Sequence, residues 1–275
     1  MNNFVKRTLS GFVFIVIVIG SIILNQYTFA GFFSIITIFA IREFHKLTNE
    51  LPNVNVNQFI AIIGSVLLFG STFIYTAKLT EFPIFILYGI YILIIFIFEL
   101  FRQKANPLNN LAYFVLGQIY IALPFSILNF ILFIDNWQPI ILLALFVTIW
   151  VNDSGAYVTG VTFGKHRLFE RISPKKSWEG FFGGAAFALM SGYIFSLYIP
   201  EISLLSWLVF SEIIVIFGTL GDLIESLLKR TVQVKDSGNI IPGHGGILDR
   251  FDSMLLAAPI IYIYLIVIFA MSVYR

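Results

Sequence analysis

Long apolar runs recur along the whole chain and limit the fold more than any other feature of the sequence. A helix needs about 20 mostly apolar residues to cross a bilayer. Hydrophobic residues make up 59% of the 275 positions and charged residues only 12%. The sequence therefore predicts an all-α, polytopic membrane protein with about nine spans. The predicted spans cover residues 8–24, 27–41 (continuing as a surface turn to 47), 58–77, 82–101, 111–134 (kinked at Pro124), 139–162, 180–199, 203–228 and 252–273.

The first apolar run follows a basic start, as in a signal peptide, but it lacks a small-residue cleavage site. We therefore interpret it as the first transmembrane helix. The chain has no cysteine, which excludes a disulfide framework, a thiol nucleophile and a Cys-ligated metal.

Lysine and arginine fall almost entirely on one side of this topology. With the N-terminus in the cytoplasm, 15 of the 17 basic residues lie in inside segments, and only Lys78 and Arg275 lie outside. This bias predicts a multi-pass protein of the cell (inner or plasma) membrane with its N-terminus in the cytoplasm. Segments 163–179 and 229–251 are then cytoplasmic loops, and a site built on them faces the cytoplasm.

Polar groups enter the spans mainly in the second half of the chain. We interpret residues 1–134 as transmembrane scaffold and residues 135–275 as the catalytic half. An ionisable residue inside a span costs about 2.5–3.5 kcal/mol or more, so it indicates function by default. Asp222, Glu225, Ser226 and Lys229 have the spacing of one helix face. Such a face offers carboxylates to a hard cation and an ammonium group to a phosphate. The structural alternative for Glu225 and Lys229 is an ordinary i, i+4 ion pair.

Three further stretches carry candidate residues. Asp249 and Asp252 follow a glycine-rich turn, Pro242 to Gly246, that includes His244, and glycine-rich turns before helices are natural anion sites. The alternative for both aspartates is a helix cap. The stretch 173–180 predicts Ser173 as an N-cap and Pro174 as the first helical residue, which puts Lys175 and Lys176 in a first turn that disfavours cations. Phosphate binding explains that position, and membrane anchoring is the alternative.

Asp153 and Tyr157 form an i, i+4 pair in an otherwise apolar helix. They could order a metal site or contact substrate, or they could belong to a buried hydrogen-bond network between helices. Together, these groups suit phosphoryl or nucleotidyl transfer to a lipid phosphate, which requires positioning and charge neutralisation more than covalent chemistry. Walker-type loops and the GxGxxG pattern are absent from the sequence.

Residues 226–252 resemble the signature of phosphatidate cytidylyltransferases, also called CDP-diacylglycerol synthases, in their serine, Lys-Arg, Lys-Asp, His-Gly-Gly and Asp-Arg-x-Asp at the family's spacing. Residues 152–157 and 173–180 are similar to the family too. The resemblance implies transfer of a cytidylyl group from CTP to phosphatidic acid with Mg²⁺, at one or two divalent sites and with a second, monovalent cation left open. It implies metal ligands at Asp222, Asp249, Asp252 and Glu225, and catalytic roles for Asp222, Asp249, Lys175 and Lys176. The implied substrate-binding residues are Ser173, Ser226, Lys229, Arg230, Lys235, Asp236, His244, Gly245, Gly246, Arg250 and Asp153.

The expected partners are CTP, phosphatidic acid and membrane lipids, without nucleic acid, and a homodimer is left open. Two other functions remain. A CTP-dependent lipid-alcohol kinase would direct a hydroxyl at the γ-phosphorus and release CDP. A transporter would use intramembrane charges as an ion path, but transporters often have two related halves, whereas the polar groups here cluster in one half.

Overall fold

The computed structural model describes residues 3–238, 240 and 245–273. This part of the chain forms nine helices and one short hairpin. The helices are α1 (Asn3–Leu24), α2 (Gln26–Thr48), α3 (Gln58–Thr76), α4 (Phe85–Phe101), α5 (Pro107–Leu132), α6 (Pro139–Phe163), α7 (Trp178–Tyr198), α8 (Leu204–Thr231) and α9 (Leu248–Val273). The strands are β1 (Arg167–Phe169) and β2 (Ser173–Ser177).

The prediction of an all-α polytopic membrane protein is confirmed. Within the described residues, seven helices, α2, α3 and α5 to α9, are long and apolar enough to cross a membrane. Two shorter apolar stretches, Leu9–Leu24 and Phe85–Phe101, correspond to the first and fourth predicted spans. The second span does not end at residue 41, because α2 continues as a helix to Thr48. The ninth begins at Leu248, four residues before the predicted start.

Helix α5 is irregular next to Pro124, as predicted. Residues Gln118–Ala122 form a π-helical turn, and the Leu123 amide donates to the Gln118 carbonyl. Proline has no amide hydrogen to continue the ladder, so irregular turns gather beside it. Within this turn the Gln118 side chain donates to the Ala61 carbonyl of α3 over 3.0 Å. The disturbance in α5 therefore supplies a hydrogen bond between two spans.

The sequence wrongly predicted a helix start at Ser173. Ser173–Ser177 is instead strand β2, paired antiparallel with β1, with Arg167 opposite Ser177 and Phe169 opposite Ser173. The N-cap of α7 is Ser177, whose hydroxyl accepts the Gly180 amide over 3.1 Å. Proline is tolerated here because both strands of a two-stranded hairpin are edge strands. Lys175 and Lys176 therefore lie on a strand, and the argument from the helix dipole no longer applies to them.

The chain divides into two compact units. The first contains Met1–Gln138 and Thr231–Arg250, and the second contains Pro139–Arg230 and Phe251–Arg275. In the first, buried phenylalanines from α2 and α3 pack together, with ring centroids of Phe29 4.7 Å from Phe33 and 6.2 Å from Phe69. Its interior also has polar contacts, since the Asn129 amide of α5 donates to the Thr72 hydroxyl of α3 over 2.8 Å.

In the second unit, α6 and α7 pack closely along small residues. A Cβ at Gly184 would lie 2.6 Å from Oδ1 of Asn152, and a Cβ at Gly180 would lie 2.9 Å from the Ala156 carbonyl. The Thr148 and Ser191 hydroxyls share a hydrogen bond of 2.9 Å between the same helices. Small residues let membrane helices approach at backbone distance, where van der Waals contacts and interhelical hydrogen bonds hold them together. This seam fixes the two ends of the β hairpin.

Candidate functional site

The predicted polar face of α8 is confirmed. Ser226 Oγ donates to Asp222 Oδ1 over 3.2 Å, and Lys229 forms an ion pair with Glu225. Glu225 is buried, with 1% of its side chain exposed. This is the ordinary i, i+4 ion pair that the sequence left open as the structural alternative for Glu225 and Lys229. The lysine neutralises a carboxylate whose burial would otherwise disfavour its charge. Its role in substrate or metal binding stays a prediction.

Lys176 of β2 meets Asp222 of α8. The Nζ–Oδ2 distance is 2.6 Å, and the side chains are 27% and 32% exposed. The neighbouring Lys175 is exposed, whereas Lys176 is half-buried. Of the two lysines, Lys176 is the one that forms an ion pair with the carboxylate face of α8. Two residues predicted to act on phosphate and metal are thereby brought into contact within the second unit.

Helices α8 and α9 approach closely beside Asp222. A Cβ at Gly221 would collide with the Asp252 carbonyl and lie 3.3 Å from the Ser253 Cα. This contact brings Asp252 into electrostatic repulsion with Asp222, Glu225 and Asp153. Asp252 is thus within electrostatic range of three other carboxylates of the second unit, of which Asp222 is paired with Lys176 and Glu225 with Lys229.

The carboxylates suit a hard divalent cation, although the described residues form no preformed cage. Among the residues that the structure describes, no three acidic or histidine side chains converge closely enough to hold a metal ion. Mg²⁺ usually keeps several waters and takes only one or two protein carboxylates together with substrate phosphates. The crowding of like charges at Asp252 and Asp222 is the kind of arrangement that such an ion relieves. The residues therefore fit Mg²⁺.

Asp249 lies in the first unit, in the first turn of α9, and its Oδ2 accepts three hydrogen bonds. The donors are the Ser237 amide at 3.0 Å, the Ser237 hydroxyl at 2.9 Å and the Gly246 amide at 2.8 Å. The hydrogen bond from the Gly246 amide resembles a helix cap, so the alternative role of Asp249 as a cap accounts for part of its geometry. These three donors fix the position of Oδ2.

The glycines before α9 have a clear physical reason. Gly245 has φ +81°, a conformation that favours glycine. A Cβ there would lie 2.6 Å from Oδ2 of Asp249. The observed partner of this close approach is the carboxylate of Asp249, and the predicted role of the turn as an anion site stays a prediction.

The other predicted residues are dispersed over β2, α6, α8, α9 and the segment before α9. Ser173 is half-buried in β2, and Lys175, Arg230, Lys235, Asp236 and Arg250 are exposed. Asp153 is exposed on α6, and its Oδ1 accepts from the Asn152 amide over 3.4 Å. His244 lies outside the described residues. The functional roles of all these residues stay predictions.

Two acidic residues of this region carry no assignment from the sequence. Glu179, in the first turn of α7, accepts the backbone amides of Lys165 and His166 and meets the His166 ring at 2.6 Å, so it fixes the entry to the hairpin. Glu43, near the end of α2, is buried and accepts hydrogen bonds from Ser237 and Leu248. The signal for Glu43 was an ionisable group at the end of an apolar run, but the predicted span stopped two residues before it.

Comparison with known proteins identifies relatives over most of the chain. The model of the cytidylyltransferase family matches residues 5–268. A protein of Bacillus subtilis named phosphatidate cytidylyltransferase is 42% identical over 175 residues, which are 62% of this chain and 64% of the relative. The protein of that name from Staphylococcus saprophyticus is 41% identical over 168 residues, 60% of each chain. One from Staphylococcus haemolyticus is 48% identical over 123 residues, 44% of this chain and 47% of the relative. The chain thus spans less than two thirds of the length of each of these relatives.

Proposed function

Because this chain belongs to the cytidylyltransferase family, we propose that it transfers the cytidylyl group of CTP to phosphatidic acid, giving CDP-diacylglycerol and pyrophosphate. The relatives that carry this activity in their names support the substrates. The observation that carries the proposal is the meeting of Lys176 with Asp222. A phosphate-binding cation and a metal-binding carboxylate are the two groups that nucleotidyl transfer needs side by side.

The reaction is an in-line displacement at phosphorus. A phosphate oxygen of phosphatidic acid attacks the α-phosphorus of CTP, a new P–O–P bond forms, and the bond between the α-phosphorus and the bridging oxygen breaks as pyrophosphate leaves. The attacking phosphate is already an anion at neutral pH, so no side chain has to remove a proton. The protein's contribution is to hold two polyanions in line and to offset their repulsion.

The cationic side chains do this directly. In the free enzyme Asp222 holds Lys176 in place, and we propose that Lys176 turns to a substrate phosphate when the substrates enter. Lys175 and Arg230 are exposed on the segments we expect on the cytoplasmic side, where CTP is available, and they supply further positive charge. Lys229 stays with Glu225 and keeps that part of α8 neutral.

We further propose that Asp222 and Asp252 bind Mg²⁺, with Glu225 in support, and that Asp249 is a ligand as the motif resemblance implies. Mg²⁺, when bound, neutralises charge that develops on the phosphates. The chain's own part is to hold these carboxylates close together and in place. Gly221 lets α8 and α9 approach at Asp252, and Ser226 orients Asp222 by its hydrogen bond.

The test follows two labels of CTP. Purified protein in detergent is given phosphatidic acid, Mg²⁺ and CTP labelled at either the α- or the γ-phosphate. We expect the α-label in the lipid product and the γ-label in pyrophosphate, with neither transfer in the Asp222→Asn variant. Movement of the γ-label to diacylglycerol, supplied in place of phosphatidic acid, would instead establish a lipid kinase. Absence of both transfers from folded protein would refute the proposal.

A further inference from the structure

Glu43 is a buried carboxylate of α2, with 4% of its surface exposed. It lies in the half of the chain that the sequence predicted to be transmembrane scaffold. Its Oε2 accepts two hydrogen bonds from the segment that leads into α9. One comes from the Ser237 hydroxyl at 3.2 Å and the other from the Leu248 backbone amide at 3.0 Å. All three residues belong to the first unit. A single side chain of α2 thus binds both ends of a stretch nearly 200 residues further along the chain.

Ser237 connects Glu43 to Asp249. The serine hydroxyl carries one hydrogen and lies 3.2 Å from Glu43 Oε2 and 2.9 Å from Asp249 Oδ2. Its backbone amide adds a second bond to the same Asp249 oxygen at 3.0 Å. The position of Ser237 therefore determines the environment of Asp249, and Glu43 is a buried group that binds the same serine hydroxyl.

Glu43 also explains two glycines of the motif. A Cβ at Gly238 would lie 2.9 Å from Cδ and 3.4 Å from Cγ of Glu43, and its three nearest neighbours are all Glu43 atoms. A Cβ at Gly246 would be 2.5 Å from Glu43 Oε2. Both approaches are closer than ordinary van der Waals contact. The backbone is packed onto the carboxylate itself, which makes Glu43 part of the architecture of this segment.

Glu43 can act on Asp249 in two structural ways. Its Oε2 caps the start of α9 through the Leu248 amide, one residue before Asp249. It also competes with Asp249 for the Ser237 hydroxyl, so it limits how far that hydroxyl can follow Asp249. Both effects fix where the Asp249 carboxylate lies and how strongly its Oδ2 is held.

We propose that Glu43 is a positioning residue that holds Ser237 and Leu248 in place and so fixes the Asp249 carboxylate for the transfer reaction. This inference rests on the proposed function only for the kinetic consequence; the positioning itself can be measured without turnover. The proposal also gives a functional role to a residue of α2. This helix belongs to the N-terminal half and lies outside all the motifs identified in the sequence.

The decisive substitution is Glu43→Met, which keeps the length of the side chain and removes both acceptor oxygens. We expect kcat per folded molecule to fall at least tenfold, with a smaller change in the KM for CTP, because substrate binding surfaces remain. Amide hydrogen exchange at Leu248 should rise at least tenfold. Glu43→Gln retains one carbonyl oxygen that can accept both bonds, so it should recover kcat to within about threefold of wild type.

The matched control is Glu99→Met. Glu99 is an equally buried glutamate of the first unit, 5% exposed, but its contacts are with Arg102 at 3.0 Å and Asn110 at 2.6 Å. We expect it to lower thermal stability without slowing turnover per folded molecule or exposing the Leu248 amide. Equal kinetic and exchange effects in Glu43→Met and Glu99→Met would overturn the proposal, since they would indicate general destabilisation. A Gln variant as inactive as Met would also overturn it.

A double-mutant cycle tests the packing without any activity. Gly238→Ala should lower the thermal stability of the wild type and have little further effect in Glu43→Ala, because the obstructing side chain is gone. Additive effects would contradict the contact. If wild-type protein transfers nothing from CTP, the proposed function fails, while Leu248 exchange and this cycle still decide whether Glu43 positions the segment.

Discussion

The substitution Lys176→Ala distinguishes a structural role of the Lys176–Asp222 ion pair from a catalytic one, because the two roles predict effects of different size. The Lys176–Asp222 pair is short, 2.6 Å, but about a third of each side chain is exposed. Exposed ion pairs contribute about 0.2–1 kcal/mol to stability, because solvent screens the charges and ordering two side chains costs entropy. Loss of Lys176 should therefore lower the free energy of unfolding by no more than about 1 kcal/mol, which is within a few degrees of Tm.

The expected effect on turnover is much larger. A preorganised donor aimed at charge that develops in the transition state is worth about 2.7–4 kcal/mol, or about 10²- to 10³-fold in kcat. If Lys176 binds a substrate phosphate, kcat/KM should fall by about 100-fold or more while most of the protein stays folded. The structural and the catalytic roles of the Lys176–Asp222 pair thus predict free-energy effects that differ by at least about 1.5 kcal/mol. This difference is larger than the scatter of either measurement.

Lys175→Ala is the comparison variant for this experiment: Lys175 adds positive charge in the proposed mechanism, but the ion pair with Asp222 is made by Lys176, so loss of Lys175 should lower kcat/KM much less. Lys175 is the neighbouring residue of β2, is exposed, and has no ion pair in the described part of the chain. Initial rates of lipid labelling from α-labelled CTP, together with thermal unfolding in the same detergent, are measured for wild type and both variants. Comparable, small activity losses in the two variants would refute the assignment of Lys176 and leave both lysines as membrane anchors.

Gly221→Ala should destabilise the protein by about 1–3 kcal/mol and slow transfer, because the added methyl group meets backbone atoms of Asp252 and Ser253. Gly218→Ala, one turn earlier, has ordinary contact distances of 3.5 Å or more and should be neutral or more stable by up to about 1 kcal/mol; thermal unfolding of both variants checks the pair, and equal Tm values would contradict the close approach. Transfer should stop in EDTA and return with Mg²⁺, whereas turnover that is insensitive to the chelator would exclude a metal role for the carboxylates.

The spans were predictable because the bilayer imposes a length and a composition on every crossing helix. The wrong predictions lie where contacts between residues distant in sequence determine the structure. The hairpin was missed because Ser173 and Pro174 have the chemistry of a helix start, while Ser177, four residues later, offers the same cap with a glycine at the right position. Pairing with Arg167 and Phe169 decides between the two, and that pairing is a tertiary contact.

The site could be predicted in part for a similar reason. Residues on one helix, such as Asp222 and Ser226, share a face by spacing alone. The contact of Lys176 with Asp222 depends on the hairpin that places Lys176 beside α8, and the predicted helix start at Ser173 could not show it. Glu43 was missed for two reasons. Its partners Ser237 and Leu248 are distant in sequence, and its position follows a span that was predicted to end at residue 41.

The glycine seam of α6 and α7 has a consequence for how the protein is made. The two helices are adjacent in sequence, pack through Gly180 and Gly184, and are joined by residues 164–177, which contain the β hairpin. In a bilayer, close packing and not water drives helices together. We therefore expect this pair to associate as a helical hairpin soon after it leaves the ribosome and the translocon, before α8 is synthesised. Lys176 would then be held in place before its partner Asp222 exists, and the late arrival of α8 would complete the ion pair.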